Sequence, residues 1–489
     1  MFERKNVNKA EIKTIYDVIV CMYLILKAYG EEVYLQRYFD EFISDQKMLE
    51  DRSEILSYLR NTVINKLFSP LQIYEFLEFK MEEKTEMAPF YCIFVMLQFD
   101  LLLLRQESER HGLDTIIPYD KLSTIDSEWT YVPIFRDNFI MDGAVMDQVR
   151  DKKINKGVWI YIKDYKVIGH SNIQDYEIYI DRYNVDWIKN QKNKQVKRSL
   201  KIAMVPFSRK NMFVELQNGV KEYTPYENEE YVYKCCISLL EKLERESVDI
   251  VVFPELVMTL ELKDRIRKWL NKKFGAQSNT KLIFLGSYYE NNVNRCALLA
   301  GNGRQLLTND KRNAFEYRDS HGNIHREKLG NFSKIITMMD ISGLGRIYYD
   351  ICKDSIIIED IMEITGKYRN NFNVISACSS GLQDFTRLAD SLAGNFKVFS
   401  AMSNSCSARK MISDSISVGF VGYPVCGHRN ALDGHCEEYS CDENCPENSF
   451  CSCIHIFEIN IDERQTYEGN KTGVKVDKRC FYRHIDQYA

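Results

Sequence analysis

The chain of 489 residues predicts an α/β layered domain, preceded by an α-helical domain and a small β-rich connector. Three observations carry this expectation. Up to about residue 115, apolar side chains recur at three- and four-residue spacing with almost no proline, the period of helices that bury one face. From residue 199 to about 463, strand-like runs alternate with amphipathic helices, the grammar of an α/β fold. Between these regions lie alternating segments rich in Ile, Tyr and Val.

In the helical domain, 1–115, the spacing predicts helices over Ile12–Tyr29, Ile55–Leu67, Leu71–Phe79 and Phe90–Leu104. Gly30 suits the end of the first, and Ser69-Pro70 suits a break. The run Ala88–Leu104 approaches the length of a membrane span but carries Gln98 and Asp100. A charge near a bilayer centre costs at least about 2.5 kcal/mol. A buried core helix is therefore expected, and no membrane association. The domain holds no nucleophile–base pair and no metal spacing, so it reads as a regulatory or assembly module that could dock a protein partner. In the connector, 116–198, residues 157–170 and 176–183 predict strands of a hairpin or small sheet. The basic stretch 187–201 reads as a solvated linker, because it lacks the interleaved aromatics of a single-strand binder.

Within 199–463, KIAMVPF (201–207) predicts a strand and 226–246 an amphipathic helix. The strand VDIVVF, the helix 261–274 and the strand 281–289 follow. Residues 296–309 predict a hairpin turning at Gly301-Asn302-Gly303. After Cys352 come a helix, the strand 373–378, a second helix, the strand 396–402 and a last strand, 454–461, leaving a C-terminal tail, 464–489. Apolar residues make up 45% and charged residues 28%, and the net charge is −5. These are values of an ordinary globular chain, and they argue against a dedicated nucleic-acid binder, which carries a basic excess. Fifteen cysteines stand behind a charged opening segment without an apolar core. A cytoplasmic protein is expected, with thiols rather than disulfides.

Three runs end abruptly in reactive groups: VDIVVFPELV in Glu255, LLTNDKRNAF in Lys311 and GRIYYDICKDS in Cys352. Parallel strands deliver their carboxyl ends to one face of a sheet. A carboxylate, an ammonium and a thiol gathered there could attack a carbon–nitrogen bond. The thiol acts as thiolate, Glu255 takes its proton, and Lys311 stabilises the oxyanion. The acyl-enzyme formed is then resolved by water or an amine. Lys353, beside the cysteine, and Asp354-Ser355, read as caps of the next helix, are expected to favour the thiolate.

These segments resemble the nitrilase or carbon–nitrogen hydrolase superfamily over roughly 199–463. The resemblance is carried by KIAMVPF, by Phe253-Pro254-Glu255, by the strand–loop from Leu282 to Arg312, by ICKD (351–354) and by MSNS (402–405). It implies an αββα four-layer sandwich, with Glu255 as general base, Lys311 as oxyanion stabiliser and Cys352 as nucleophile, and no catalytic cofactor. It further implies a small-molecule amide, carbamoyl or nitrile substrate and homo-oligomers formed through this domain. Asn404 looks like the family's strand-end asparagine. Many relatives carry a second glutamate between the lysine and cysteine motifs, for which Glu327 is the first candidate and Glu316 the second. Two departures stand out: Lys353 where the family usually has an aromatic residue, and Asp350 in what is usually an apolar position. The rival reading is an inactive nitrilase fold serving as an interaction protein, one version being an effector in bacterial antiviral defence.

Residues 426–453 read as an insertion crowded with Cys426, Cys436, Cys441, Cys445, Cys451 and Cys453, with His428 and His435 among them. Such density suits a structural zinc, while the lack of any CxxC pair suits free or partly oxidised thiols. Both readings stay open. His321 and His325 read as loop histidines, and Arg312 and Arg318 as loop charges.

Overall fold

The structure is a computed structural model. It describes residues 9–108 apart from 31–33, 35–36, 39–41, 44, 64 and 66. Beyond these it describes 129–133, 165–169, 176–183, 198–207, 213–215, 220–223, 229–274, 278–318 and 321–341. It continues with 344–406 apart from 369 and 380, and with 417–426, 432–440, 454–461 and 474–481. The chain divides into two units, one up to Asn172 and one from Ile173 onward.

The first unit holds helices α1 (Ile15–Tyr29), α2 (Leu49–Val63), α3 (Pro70–Glu83) and α4 (Ala88–Ser108), and an antiparallel pair, β1 (Trp129–Pro133) with β2 (Tyr165–Gly169). Thr14 and Asp17 cap α1 reciprocally, and Gly30 ends it in the left-handed region at φ 88°, where a residue without Cβ pays least. Ser69 and Gln72 form the same box ahead of α3, and Pro70 takes its first position, where a missing N–H costs nothing. Helix α2 begins at Leu49 rather than at the predicted Ile55, because its polar first turn carries no apolar period. Val18, Met22, Leu59, Leu77, Ile93 and Phe99 are buried in one core. No helix among the described residues is long and apolar enough to cross a membrane.

The second unit opens with β3 (Glu177–Tyr183), β4 (Arg198–Met204), β5 (Phe213–Glu215) and β6 (Val220–Tyr223). Helix α5 (Glu229–Arg245), β7 (Ile250–Val252), α6 (Leu260–Lys273), β8 (Leu282–Glu290), β9 (Val293–Ala300) and β10 (Gln305–Asp310) follow. Then come β11 (Glu316–Arg318), β12 (Ile324–Glu327), β13 (Ile335–Ile341), β14 (Gly345–Ile351) and a 3-10 turn, Cys352–Ile356. The order ends with α7 (Ile358–Tyr368), β15 (Phe372–Ala377), α8 (Gln383–Phe396), β16 (Phe399–Asn404), β17 (Ser417–Cys426), β18 (Leu432–Ser440), β19 (Ile454–Ile461) and β20 (Val474–Phe481).

Two seven-stranded mixed sheets result, in the orders β10-β9-β8-β7-β4-β19-β20 and β18-β17-β16-β15-β14-β13-β3. A four-stranded sheet, β11-β12-β6-β5, stands beside them. The period-2 pattern explains the layering. Ile202, Val252 and Phe284 share one core with Ile351, Val374 and Met402 of the other sheet. Their neighbours Ala203, Val251 and Ile283 turn outward onto Cys236, Leu240 and Ile266 of α5 and α6. Helix α8 lies along β16, β17 and β18, which completes the expected helix–sheet–sheet–helix order. Strands buried on both faces read as unbroken apolar runs, which is why VDIVVF and GRIYYDI carry no alternation.

Three expectations change. Residues 176–183 do not form a hairpin with 157–170; β3 pairs in parallel with β13, from Glu177↔Ile335 to Tyr183↔Ile341, and 157–164 lie outside the described residues. The expected tail contributes β20, paired antiparallel with β19. The cysteine-rich segment is partly regular, since β18 pairs with β17. The basic stretch 187–197 also lies outside the described residues.

Candidate active site

Glu255 follows β7 in a tightly fitted turn. Its N–H donates to the Ala377 carbonyl at 3.3 Å, and Leu256, with φ 64°, donates its N–H to Ser287 Oγ at 3.1 Å. Strand β8 makes room for this turn by a register shift between Phe284 and Ser287. There Gly286 adopts φ 78° directly against the Pro254 carbonyl.

Lys311 leaves β10 with its N–H on the Asn294 carbonyl at 2.7 Å. Its buried Nζ donates to Glu255 Oε1 and to Glu327 Oε2, both at 2.7 Å. The two carboxylates share a second donor, Asn294 Nδ2, at 3.0 Å from Glu255 Oε1 and 3.1 Å from Glu327 Oε1. Glu327, on β12, also accepts from the Tyr289 hydroxyl and from the Phe315 N–H. Glu316 faces Arg326 at 3.1 Å instead, so of the two candidates it is Glu327 that meets the lysine.

Cys352 directly follows β14, opening the 3-10 turn at φ 44°, an uncommon conformation for a residue with a Cβ. Its thiol lies beside the Glu255 carboxyl. The Cys378 N–H, one residue beyond β15, donates to Glu255 Oε2 at 3.0 Å and lies near the Cys352 thiol. Asn404, at the end of β16, grips the same loop by accepting from the Ser379 N–H at 2.8 Å and donating to the Ser379 carbonyl at 2.7 Å. Glu255, Lys311, Cys352 and Glu327 are thus brought together, with Asn404 one loop away.

The charges of this cluster follow from burial and pairing. Burial, reinforced by Glu327, outweighs Lys311 and raises the Glu255 carboxyl above its ordinary range. Burial would also raise Glu327, but the Lys311 ammonium and the hydrogen bonds from Lys311, Tyr289 and Phe315 hold it lower. Burial opposes a charge on Lys311, and its two carboxylates override it, so the ammonium persists. Burial and Glu255 together hold the Cys352 thiol well above its ordinary value, against the pull of Lys311. The resting residue is a thiol, and making the thiolate requires a base.

Lys353 and Asp354 do not do what their sequence positions suggest. The 3-10 turn carries Lys353 away, and its Nζ donates to the Ala314 carbonyl at 2.9 Å; the cation beside the thiol is Lys311. The same turn postpones α7 to Ile358, so Asp354 and Ser355 are not its caps. Asp354 instead accepts from the N–H groups of Arg312 and Asn313, each at 2.8 Å. Asp350, the unusual strand residue, is buried 3.5 Å from Arg312 Nη2, whose other contact is the Tyr348 hydroxyl at 2.8 Å. Burial pushes the Asp350 carboxyl up to about 7, with Arg312 opposing and Asp354 reinforcing.

Among the described residues no three His, Cys, Asp or Glu side chains converge as metal ligands. Cys436 lies on β18 with its sulfur 3.5 Å from the Thr386 carbonyl of α8. Cys426 ends β17, while Cys441, Cys445, Cys451, Cys453 and His428 lie outside the described residues. Sequence reasoning missed Asn294, Tyr289 and Cys378. The first carried a weak signal, an amide on the polar edge, beside Arg295, of a strand whose remainder is apolar.

No family profile and no curated protein matches the chain. Among solved structures it is similar to Saccharomyces cerevisiae Nit3, a member of branch 10 of the nitrilase superfamily, with TM-score 0.33 and 14% identity over 49% of this chain and 90% of that one. The Caenorhabditis elegans NitFhit protein gives TM-score 0.36 and 13% identity over 50% of this chain and 62% of that one. An amidase from Nesterenkonia sp. AN1, with acrylamide added at its active-site cysteine, gives TM-score 0.32 and 10% identity over 42% and 79%.

Proposed function

We propose that the chain is a cysteine-dependent hydrolase of non-peptide carbon–nitrogen bonds in amides, carbamoyl groups or nitriles. The observation that carries the reading is one buried ammonium holding two carboxylates at 2.7 Å beside a thiol held at φ 44° directly after a strand. For an amide, Glu255 takes the Cys352 proton as sulfur bonds to the carbonyl carbon, and the oxyanion faces Lys311. Glu255 then returns the proton to the departing amine as the carbon–nitrogen bond breaks, leaving a thioester. Water, deprotonated by Glu255, attacks the thioester carbon, and the acid leaves as Cys352 regains its proton. Glu327 and Asn294 keep Lys311 and Glu255 in register.

A second reading, an interaction protein on an inactive fold, is favoured by the near-complete burial of Glu255, Lys311 and Cys352, at 2–3% exposure. One experiment separates the two. A metabolite screen with the full chain, following ammonia, should give release that disappears in Cys352→Ala. Failure of Cys352 to react with any acyl or nitrile electrophile would leave the interaction reading standing.

A further inference from the structure

Beside the candidate nucleophile stands a second thiol for which the hydrolase reaction has no use. Cys378 follows β15, and β15 runs parallel to β14 with Ile351 opposite Ser376. Cys352 directly follows Ile351 and Cys378 lies two residues beyond Ser376, so the two thiols leave neighbouring strand ends at the same end of the sheet. Neighbouring strands lie about 4.8 Å apart, and disulfides span Cα separations of about 4.4–6.8 Å. The Cys378 N–H donates to Glu255 Oε2 at 3.0 Å, the carboxyl that lies beside Cys352. Both thiols lie within electrostatic reach of Glu255 and Lys311 and of each other. Cys378 is the more open, half-buried where Cys352 is buried.

We propose that Cys378 is a resolving cysteine and that the Cys352–Cys378 pair is a site of reversible oxidation by small hydroperoxides. The Cys352 thiolate, its proton passed to Glu255, attacks a peroxide oxygen; the O–O bond breaks, giving a sulfenic acid and, from hydrogen peroxide, water. The Cys378 sulfur displaces the sulfenic hydroxyl, forming the S–S bond and a second water. A dithiol reduces the bond again by exchange. Oxidised, the chain has no nucleophile; without Cys378, the sulfenic acid would go on to the irreversible sulfinic acid. The consequence for hydrolysis rests on the function proposed above, but the cross-link itself does not.

The test treats the full chain with hydrogen peroxide, blocks remaining thiols and maps cysteine peptides by mass spectrometry, with no substrate present. The expected result is a 352–378 cross-linked peptide, two hydrogens lighter than its parts. Reactivity of Cys352 toward iodoacetamide should be lost and then regained after dithiothreitol. In Cys378→Ser, and in Cys378→Ala should the serine variant misfold, the loss should be permanent, with Cys352 found as sulfinic acid. The proposal is overturned if no cross-link forms while Cys352 oxidises, if dithiothreitol restores the Cys378 variants as fully as the wild type, or if Cys352 is not oxidised at all. Ammonia release is scored separately, so either idea can fail while the other stands.

Discussion

A β-carbon at Gly286 would lie 1.9 Å from the carbonyl oxygen of Pro254. The glycine is a steric condition for the turn that presents Glu255. Gly286→Ala should cost more than about 2 kcal/mol, since the obstacle is backbone and the φ is left-handed. Thermal unfolding would check this. A substitution tolerated without loss would show that the turn can shift.

Glu255→Gln should slow acylation of Cys352 by an amide or nitrile electrophile about 10²- to 10⁴-fold, the usual contribution of a positioned base. The amide keeps the size of the carboxyl, so circular dichroism should stay unchanged. Pre-steady-state labelling with mass detection reads the rate, and an undiminished rate would remove Glu255 from the role of base.

Lys311→Met leaves Glu255 and Glu327 facing each other without a cation. Removing one member of a buried ionic cluster typically costs about 3–5 kcal/mol. Adding Glu327→Gln should recover part of that loss without restoring labelling of Cys352. Denaturant melts of the single and double variants give the coupling. Strict additivity would contradict the shared network.

Because burial and Glu255 hold the Cys352 thiol high, its alkylation by iodoacetamide should keep accelerating beyond pH 9 rather than level off near neutrality. A plateau below pH 8 would show a thiolate already stabilised in the resting protein.

Asp350 gives a stability signature of its own. Its folded value of about 7 lies above the ordinary carboxyl value of about 3.9. Between these values the folded state binds more protons than the unfolded chain, so this group's stabilisation is full at low pH and is lost as pH rises toward 7. Asp350→Asn should remove that slope from a plot of Tm against pH between about 4 and 7. An unchanged slope would mean that Asp350 titrates alike in both states.

What the sequence made legible was whatever ends an apolar run. Glu255, Lys311 and Cys352 stand out because a buried strand changes composition abruptly where it meets the site. Glu327 sits on a four-residue strand in a polar loop, and only the family resemblance pointed to it. Lys353 and Asp354 were misread because a 3-10 turn advances each residue by about 120°, which separates sequence neighbours in space. Strand β3 was expected as a strand and is one, but its partner was missed because β13 lies far along the chain and no local pattern encodes a parallel pairing. Cys378 stayed silent because a thiol beside a strand end looks like any buried cysteine.

The parallel pairing of β3 with β13 has a practical edge. The motifs that suggest a hydrolase begin near residue 199, and cutting there would be the natural way to isolate that domain. Such a fragment would lose 177–183, strip β13 of its parallel partner from Ile335 to Ile341 and move the open edge of the sheet from β3 onto β13, an open template for another chain. Fragments starting before Ile173 should stay monodisperse where those starting at 199 aggregate. The segment ahead of the motifs thus behaves as a selvedge, the woven border that keeps the sheet from fraying.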